Sequence, residues 1–233
     1  MWNNQRLAIC LLSVGSSSIP AASQNAGGQF RPELGIYVQQ GQAIRFEFVD
    51  SASSNPSAHS WDGDFTLYVE SALKPVFRHE LRDRADVYRS RYLTFRAGYR
   101  YRTSLTSGES VSENRGILEV TSRYRLPWEL VVSDRNRGEF RFIKGQGFST
   151  RYRNRLRLER DIKHGAFTCT TYVYDEIFYD TRYDQWTPDR YAFGFEFPVG
   201  PHVLVEPYYL RQDGNRSNPP HVNALGFKLN LYF

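Results

Sequence analysis

Apolar and polar residues alternate along this chain in segments of about ten residues or more, each ended by turn-forming residues. Leu93, Phe95, Ala97, Tyr99 and Tyr101 share one face of such a segment, and Arg96, Arg100 and Arg102 the other. Leu118, Val120 and Tyr124 oppose Arg115, Glu119, Arg123 and Arg125; Trp128, Leu130 and Val132 oppose Glu129, Arg135 and Arg137. Tyr152, Leu156 and Leu158 lie against Arg151, Arg153, Arg155, Arg157 and Glu159. Phe167, Val173, Ile177 and Tyr179 then oppose Tyr172, Tyr174 and Glu176, while Tyr191, Phe193, Phe195 and Phe197 oppose Arg190 and Glu196. Val203, Val205 and Tyr209 stand against Glu206, and the last run sets Leu225, Phe227, Leu229, Leu231 and Phe233 against Gly226, Lys228, Asn230 and Tyr232. A period of two is the period of a β-strand, so each segment predicts a strand with one greasy and one charged face.

The connections alternate too. Short ones fall at Leu126-Pro127, Ile162 to Gly165 and Val199 to Pro201, and long polar ones at Thr103 to Val111, Glu139 to Phe148, Asp180 to Pro188 and Gln212 to Pro220. Turns at one end and loops at the other are the mark of an outer-membrane barrel, with short turns periplasmic and longer loops external. The prediction is an all-β, antiparallel, up-and-down transmembrane barrel. In its first third, Leu34, Ile36 and Val38 are in phase with Ile44, Phe46 and Phe48, and a two-residue hairpin at Gln40-Gly41 would break that phase. One long strand is therefore preferred, with Ser51 to Gly63 an external loop, Asp64 to Leu73 the second strand, and ten strands in all. Twelve strands are the alternative, with a hairpin over 30–50 and a further strand over 76–84. Pro75 to Val87 is a periplasmic excursion that could form a short helix, with Phe77, Leu81 and Ala85 at four-residue spacing.

A mean hydropathy of −0.57 excludes a helical membrane protein, whose helices need roughly 18 uncharged apolar residues in a row. A barrel escapes that test because every second strand residue can be charged. The 16 Tyr and 16 Phe suit aromatic girdles at both membrane interfaces. At the start of the chain, Arg6, the apolar run Leu7 to Val14, Pro20 and Ala21-Ala22-Ser23 read as an export signal over residues 1–23, leaving the barrel in 24–233. Cys10 lacks the small preceding residue of a lipoprotein signal, so cleavage leaves Cys169 as the lone cysteine and no intrachain disulfide. The sequence pI of about 9.2 invites nucleic acid as a partner, but export removes it.

The inward faces are rich in Arg, with Glu interleaved. Ten to twelve strands give a backbone radius of roughly 10 to 12 Å, which Arg and Tyr side chains nearly fill. The lumen network is predicted to comprise Arg96, Arg100, Arg115, Glu119, Arg123, Arg151, Arg153, Arg155, Arg157, Glu159, Glu176, Glu196 and Glu206. Two outcomes stay open: a narrow passage whose positive lining favours anions, or a bore sealed by salt-bridged side chains. No His-x-Ser arrangement, metal-ligand spacing or phosphate-cradling loop stands out, so no catalytic residue and no cofactor is assigned. A rim hydrolase using His59 with Asp62 or Asp64 is the remote alternative.

Leu93 to Arg102 (LTFRAGYRYR), Glu113-Asn114-Arg115, Arg151 to Glu159 (RYRNRLRLE), Tyr174 to Phe178 (YDEIF), Arg190-Tyr191, Glu206 to Leu210 (EPYYL) and His221 to Phe233 together resemble the motif series of an uncharacterised outer-membrane family, domain of unknown function 2490. The resemblance implies an outer-membrane β-barrel and carries over no activity and no catalytic residue. The expected partners are membrane lipid and lipopolysaccharide, met in the sealed-bore case by loops around Trp61 and Trp186, together with the barrel assembly machinery, which would read the C-terminal strand Leu225, Phe227, Leu229, Leu231 and Phe233. A monomer is expected.

Overall fold

The alternating segments form strands that close on themselves. The structure, a computed structural model, describes residues 27–41, 43–55, 59–73, 91–106, 112–164, 167–213 and 221–233. Its strands are β1 (Gly27–Gln40), β2 (Ile44–Asn55), β3 (Ser60–Ala72), β4 (Leu93–Ser104), β5 (Ser112–Arg125), β6 (Leu130–Ile143), β7 (Ser149–His164), β8 (Phe167–Asp180), β9 (Gln185–Val199), β10 (Val203–Asp213) and β11 (His221–Tyr232). Consecutive strands pair antiparallel, and β1 pairs in parallel with β11 to close the barrel. At about 4.8 Å between strands and about 40° of tilt, eleven strands set a backbone radius of about 11 Å.

The all-β barrel is as expected, with one strand more than the preferred ten among the described residues. The extra strand arises because residues 27–55 form a hairpin and not one long strand. Its connection occupies three positions, 41–43, so that Val38 faces Phe46 and Ile36 faces Phe48. A three-residue loop keeps the even-numbered apolar residues on one face, where a two-residue loop would have separated them. Gly41, at φ 67°, supplies the left-handed residue that such a loop uses. The added strand reverses β1 and leaves every later strand in its expected direction, which is why the closure is parallel. Ser51 to Gly63 is not an external loop: residues 51–55 and 60–63 are the paired ends of β2 and β3. The possible helix over 75–87 and the export signal over 1–23 lie outside the described residues.

Phe65, Leu67, Val69, Phe95, Leu118, Phe140, Leu156, Val173, Phe193 and Leu225 are exposed on the outer wall. A polar patch interrupts it over β6 and β7. There the Asn154 amide donates to Asp134 at 2.6 Å and to Asn136 at 3.1 Å, and Asn136 donates to Asp134 at 3.1 Å. These mutual bonds satisfy donors that apolar surroundings would leave wanting.

Inward glycines face inward tyrosines on the neighbouring strand. Tyr68 is paired with Gly98, Tyr172 with Gly194 and Tyr208 with Gly226. A Cβ at Gly226 would stand 1.9 Å from Cζ of Tyr208, so the ring lies flat across the space that the glycine leaves. Gly226→Ala is expected to lower stability by about 1–3 kcal/mol, the usual range for overpacking. Urea unfolding in micelles checks it: the midpoint should fall with the slope unchanged.

Candidate functional site

Inside the wall the charges form two layers. Glutamate is short and stays at the wall: Glu70 and Glu139 are 1% exposed and Glu176 is fully buried. Arginine is longer and arches over these carboxylates, so guanidinium groups reach further toward the axis. Glu176 on β8 takes ion pairs from Arg153 at 2.8 Å, Arg155 at 3.2 Å, Arg190 at 3.2 Å, and Arg135. Glu139 is held by Arg153 at 2.9 Å and Arg115 at 3.1 Å, and Glu119 by Arg137 at 2.6 Å and Arg96 at 3.5 Å. Arg157 bridges Glu196 at 2.5 Å and Glu159 at 2.9 Å. Glu206 accepts from the Tyr172 hydroxyl at 2.5 Å and pairs with Lys228 at 2.9 Å. Arg151 pairs with Asp180 at 2.7 Å. Arg123 donates to Thr94 at 3.4 Å. Arg100 donates to the hydroxyls of Thr66 at 2.9 Å and Tyr68 at 3.3 Å. Guanidiniums also stack on rings, most closely Arg155 over Tyr174 at 4.0 Å and Arg157 over Tyr172 at 3.9 Å.

Of the thirteen residues named from the sequence, eleven line the cavity, and Glu119 and Glu176 are buried beneath the arginines that they pair with. The structure adds Arg45 with Glu70, Arg141 with Glu113 and Asp180, and Arg135, Arg137, Glu139 and Arg190. Glu139 and Arg141 escaped because Glu139 to Phe148 reads as a loop, yet β6 runs to Ile143. The signal was present: Phe140 and Phe142 continue the outward phase, with Glu139 and Arg141 between them.

The ion pairs named above join positions on one strand, on adjacent strands, or on strands two apart, as in Arg141 of β6 with Asp180 of β8. These pairs run along the wall. A cavity of about 590 Å³ remains, lined by fourteen basic and six acidic residues. The excess follows from the layering, since Glu70, Glu119, Glu139 and Glu176 sit behind the arginines that they neutralise.

The C-terminal residues occupy the closing seam. Leu225 and Phe227 are exposed on the outer wall and Leu229 and Leu231 continue that face. The Phe233 amide donates to Tyr37 O at 2.8 Å, and Gln39 N donates to Phe233 O at 2.7 Å, extending the parallel pairing beyond β11. At the opposite end, His59 lies in the β2–β3 turn at φ 50°. Asp62 is engaged by Arg102 at 2.6 Å, and Asp64 pairs in register with Arg102. Among the described residues no three His, Cys, Asp or Glu side chains are placed to hold a metal ion.

One family model matches the chain, over residues 51–223, from the far end of β2 into β11. Its description reads "Protein of unknown function (DUF2490)". No curated protein matches the chain.

Proposed function

Since the chain belongs to this family of proteins of unknown function, we propose that it is an outer-membrane β-barrel whose lumen passes small anionic solutes. The observation that carries the reading is the layered lumen, in which guanidiniums line the cavity ahead of the carboxylates that balance them. A positive lining attracts anions and repels cations of like size. The ion pairs found among the described residues follow the wall, as those lining a passage would.

The membrane location rests on other features. An apolar outer face and an N-terminal export pattern agree with it. In this orientation the connections 56–59, 105–111, 144–148, 181–184 and 214–220 are external, and 41–43, 73–92, 126–129, 165–166 and 200–202 periplasmic. The C-terminal strand through Phe233 would then be the segment recognised by the assembly machinery during insertion.

Planar-bilayer recording of the purified chain tests the passage. Under a potassium chloride gradient, the reversal potential is expected to show chloride more permeant than potassium. Absence of conductance at every voltage, or preference for potassium, would overturn it.

A further inference from the structure

The ladder between β1 and β2 stops short. Its rungs run from Gln40 opposite Ile44 to Glu33 opposite Ser51, yet β1 continues to Gly27 beside β11 and β2 to Asn55 beside β3. Pro32 is the cause. The Phe30 amide donates to the Ser54 hydroxyl at 2.8 Å, and that hydroxyl donates to Phe30 O at 3.4 Å. Tyr37 and Gln39 bond instead to Phe233, beyond the end of β11. Even-numbered β1 residues thus turn their backbone groups to β2 and odd-numbered ones to β11. Pro32 therefore faces Ala52 and has no N–H to give it. Beyond Glu33 the two strands run on toward the long-loop rim, joined at Phe30 by a side-chain hydroxyl where a backbone rung would stand. From Glu33 to Gly27 this notch is about 20 Å of strand. The lumen reaches the wall there. Pro32 and Ala52 share the outward phase of exposed Phe30, Val38 and Phe46, yet both line the cavity, the two outward-phase residues among its lining.

Outside, exposed aromatics flank the notch, Phe30 on β1 and Trp61 on β3 opposite Ser54, at the height where barrels carry aromatic girdles. Inside, Gln29, Arg31, Ser51 and Ser53 face the cavity. Resting on the membrane reading and not on conduction, we propose that the notch is a side door between lumen and outer leaflet for a single-chain amphiphile with a carboxylate or phosphate head. The alkyl chain stays in hydrocarbon beside Phe30 while the head slides inward among the donors of Arg31, Ser51 and Ser53. A closed ladder would forbid this, because backbone bonds are costly to open against lipid. Here proline has removed the donor, and the Ser54 hydroxyl is the contact that has to turn away. Along the notch β1 stays tied to β11 and β2 to β3, so the door is held narrow and suits one chain.

Photolabelling of the full chain in phosphatidylcholine vesicles tests the door. Lysophosphatidylglycerol within the vesicles and palmitate added to the buffer, each with a diazirine next to the head, are the two probes. Labelling of lumen-facing Arg31, Ser51 or Ser53 that unlabelled probe displaces is expected. Labelling by the lysolipid alone assigns the ligand to the bilayer and by palmitate alone to free fatty acid, and each upholds the door. Pro32→Val restores the missing donor and Ala52→Phe fills the notch from outside. Acting from different strands, both should abolish the lumen label while the mouth stays open. Leu156→Phe, on exposed outer wall of β7 across the barrel, should leave it unchanged. No label inside the lumen, or an equal label in both notch variants, would overturn the door. Adducts on outward residues such as Phe142 report the membrane reading separately. With them present, a missing lumen label removes the door alone; without them, the membrane reading falls as well.

Discussion

Glu176→Gln is expected to lower the unfolding free energy by about 3–5 kcal/mol, the range for breaking a buried ion pair from one side. Glu176 is fully buried and is the common partner of four arginines from β6, β7 and β9. Glutamine keeps the shape and one acceptor but removes the charge, so four guanidiniums share a lumen with one counter-charge fewer. Arg153 retains Glu139, whereas Arg155 and Arg190, whose ion pairs among the described residues are with Glu176, suffer most. Urea titration in micelles reads the effect as a lower midpoint at constant slope. A loss below about 1 kcal/mol, the level of a solvent-screened pair, would mean that water reaches Glu176 and that the layered arrangement is wrong. A folded variant should show sharper anion preference in the bilayer, since the lining gains net positive charge.

The fold was legible wherever alternation was uninterrupted. From Leu93 onward, period-two patterning locates most of the strands and their faces, because a wall with one apolar and one charged face leaves each side chain one acceptable direction. The first third was harder because phase alone does not separate a long strand from a hairpin with an odd loop. Residues 36, 38, 46 and 48 stay in phase either way, and only Gly41 marks the fold-back. Strand ends were misread where polar residues dominate. Ser51 to Asn55 and Ser60 to Gly63 have loop-like composition, yet they pair residue for residue. The lumen arginines were legible as a face, but their partners were not. Pairing depends on which strands become neighbours and by how much they are sheared, which no single strand encodes. Arg135 shows the limit best: nothing in its local sequence says that its partners are Glu119 on β5 and Glu176 on β8.

Parallel closure adds a consequence for the ends of the chain. β1 begins beside Val222, at the long-loop end, while β11 finishes beside Tyr37 at the turn end. An odd number of strands makes this unavoidable, since each hairpin reverses direction once. In the proposed orientation, Gly27 therefore lies toward the outside and Phe233 toward the periplasm.

Leu67→Arg is expected to lower stability by about 2–4 kcal/mol when the chain is folded into lipid vesicles, the cost of a cation near the bilayer midplane on a barrel's lipid face. Leu67 is the probe of choice because it is 59% exposed, lies midway along β3, and is flanked by exposed Phe65 and Val69. Its register neighbours are Phe48 and Tyr99, so no acid lies opposite to take the new charge. Water would make the same substitution nearly neutral, since surface changes away from special features usually fall within about 0.5 kcal/mol. The outcome thus reports which solvent bathes the wall. Reversible urea unfolding from vesicles gives the value, with Leu67→Ala run beside it to remove the contribution of lost packing. A difference near zero between the two would place this face in water and end the membrane reading, whereas several kcal/mol would tie the alternation along the strands to hydrocarbon outside and charge within.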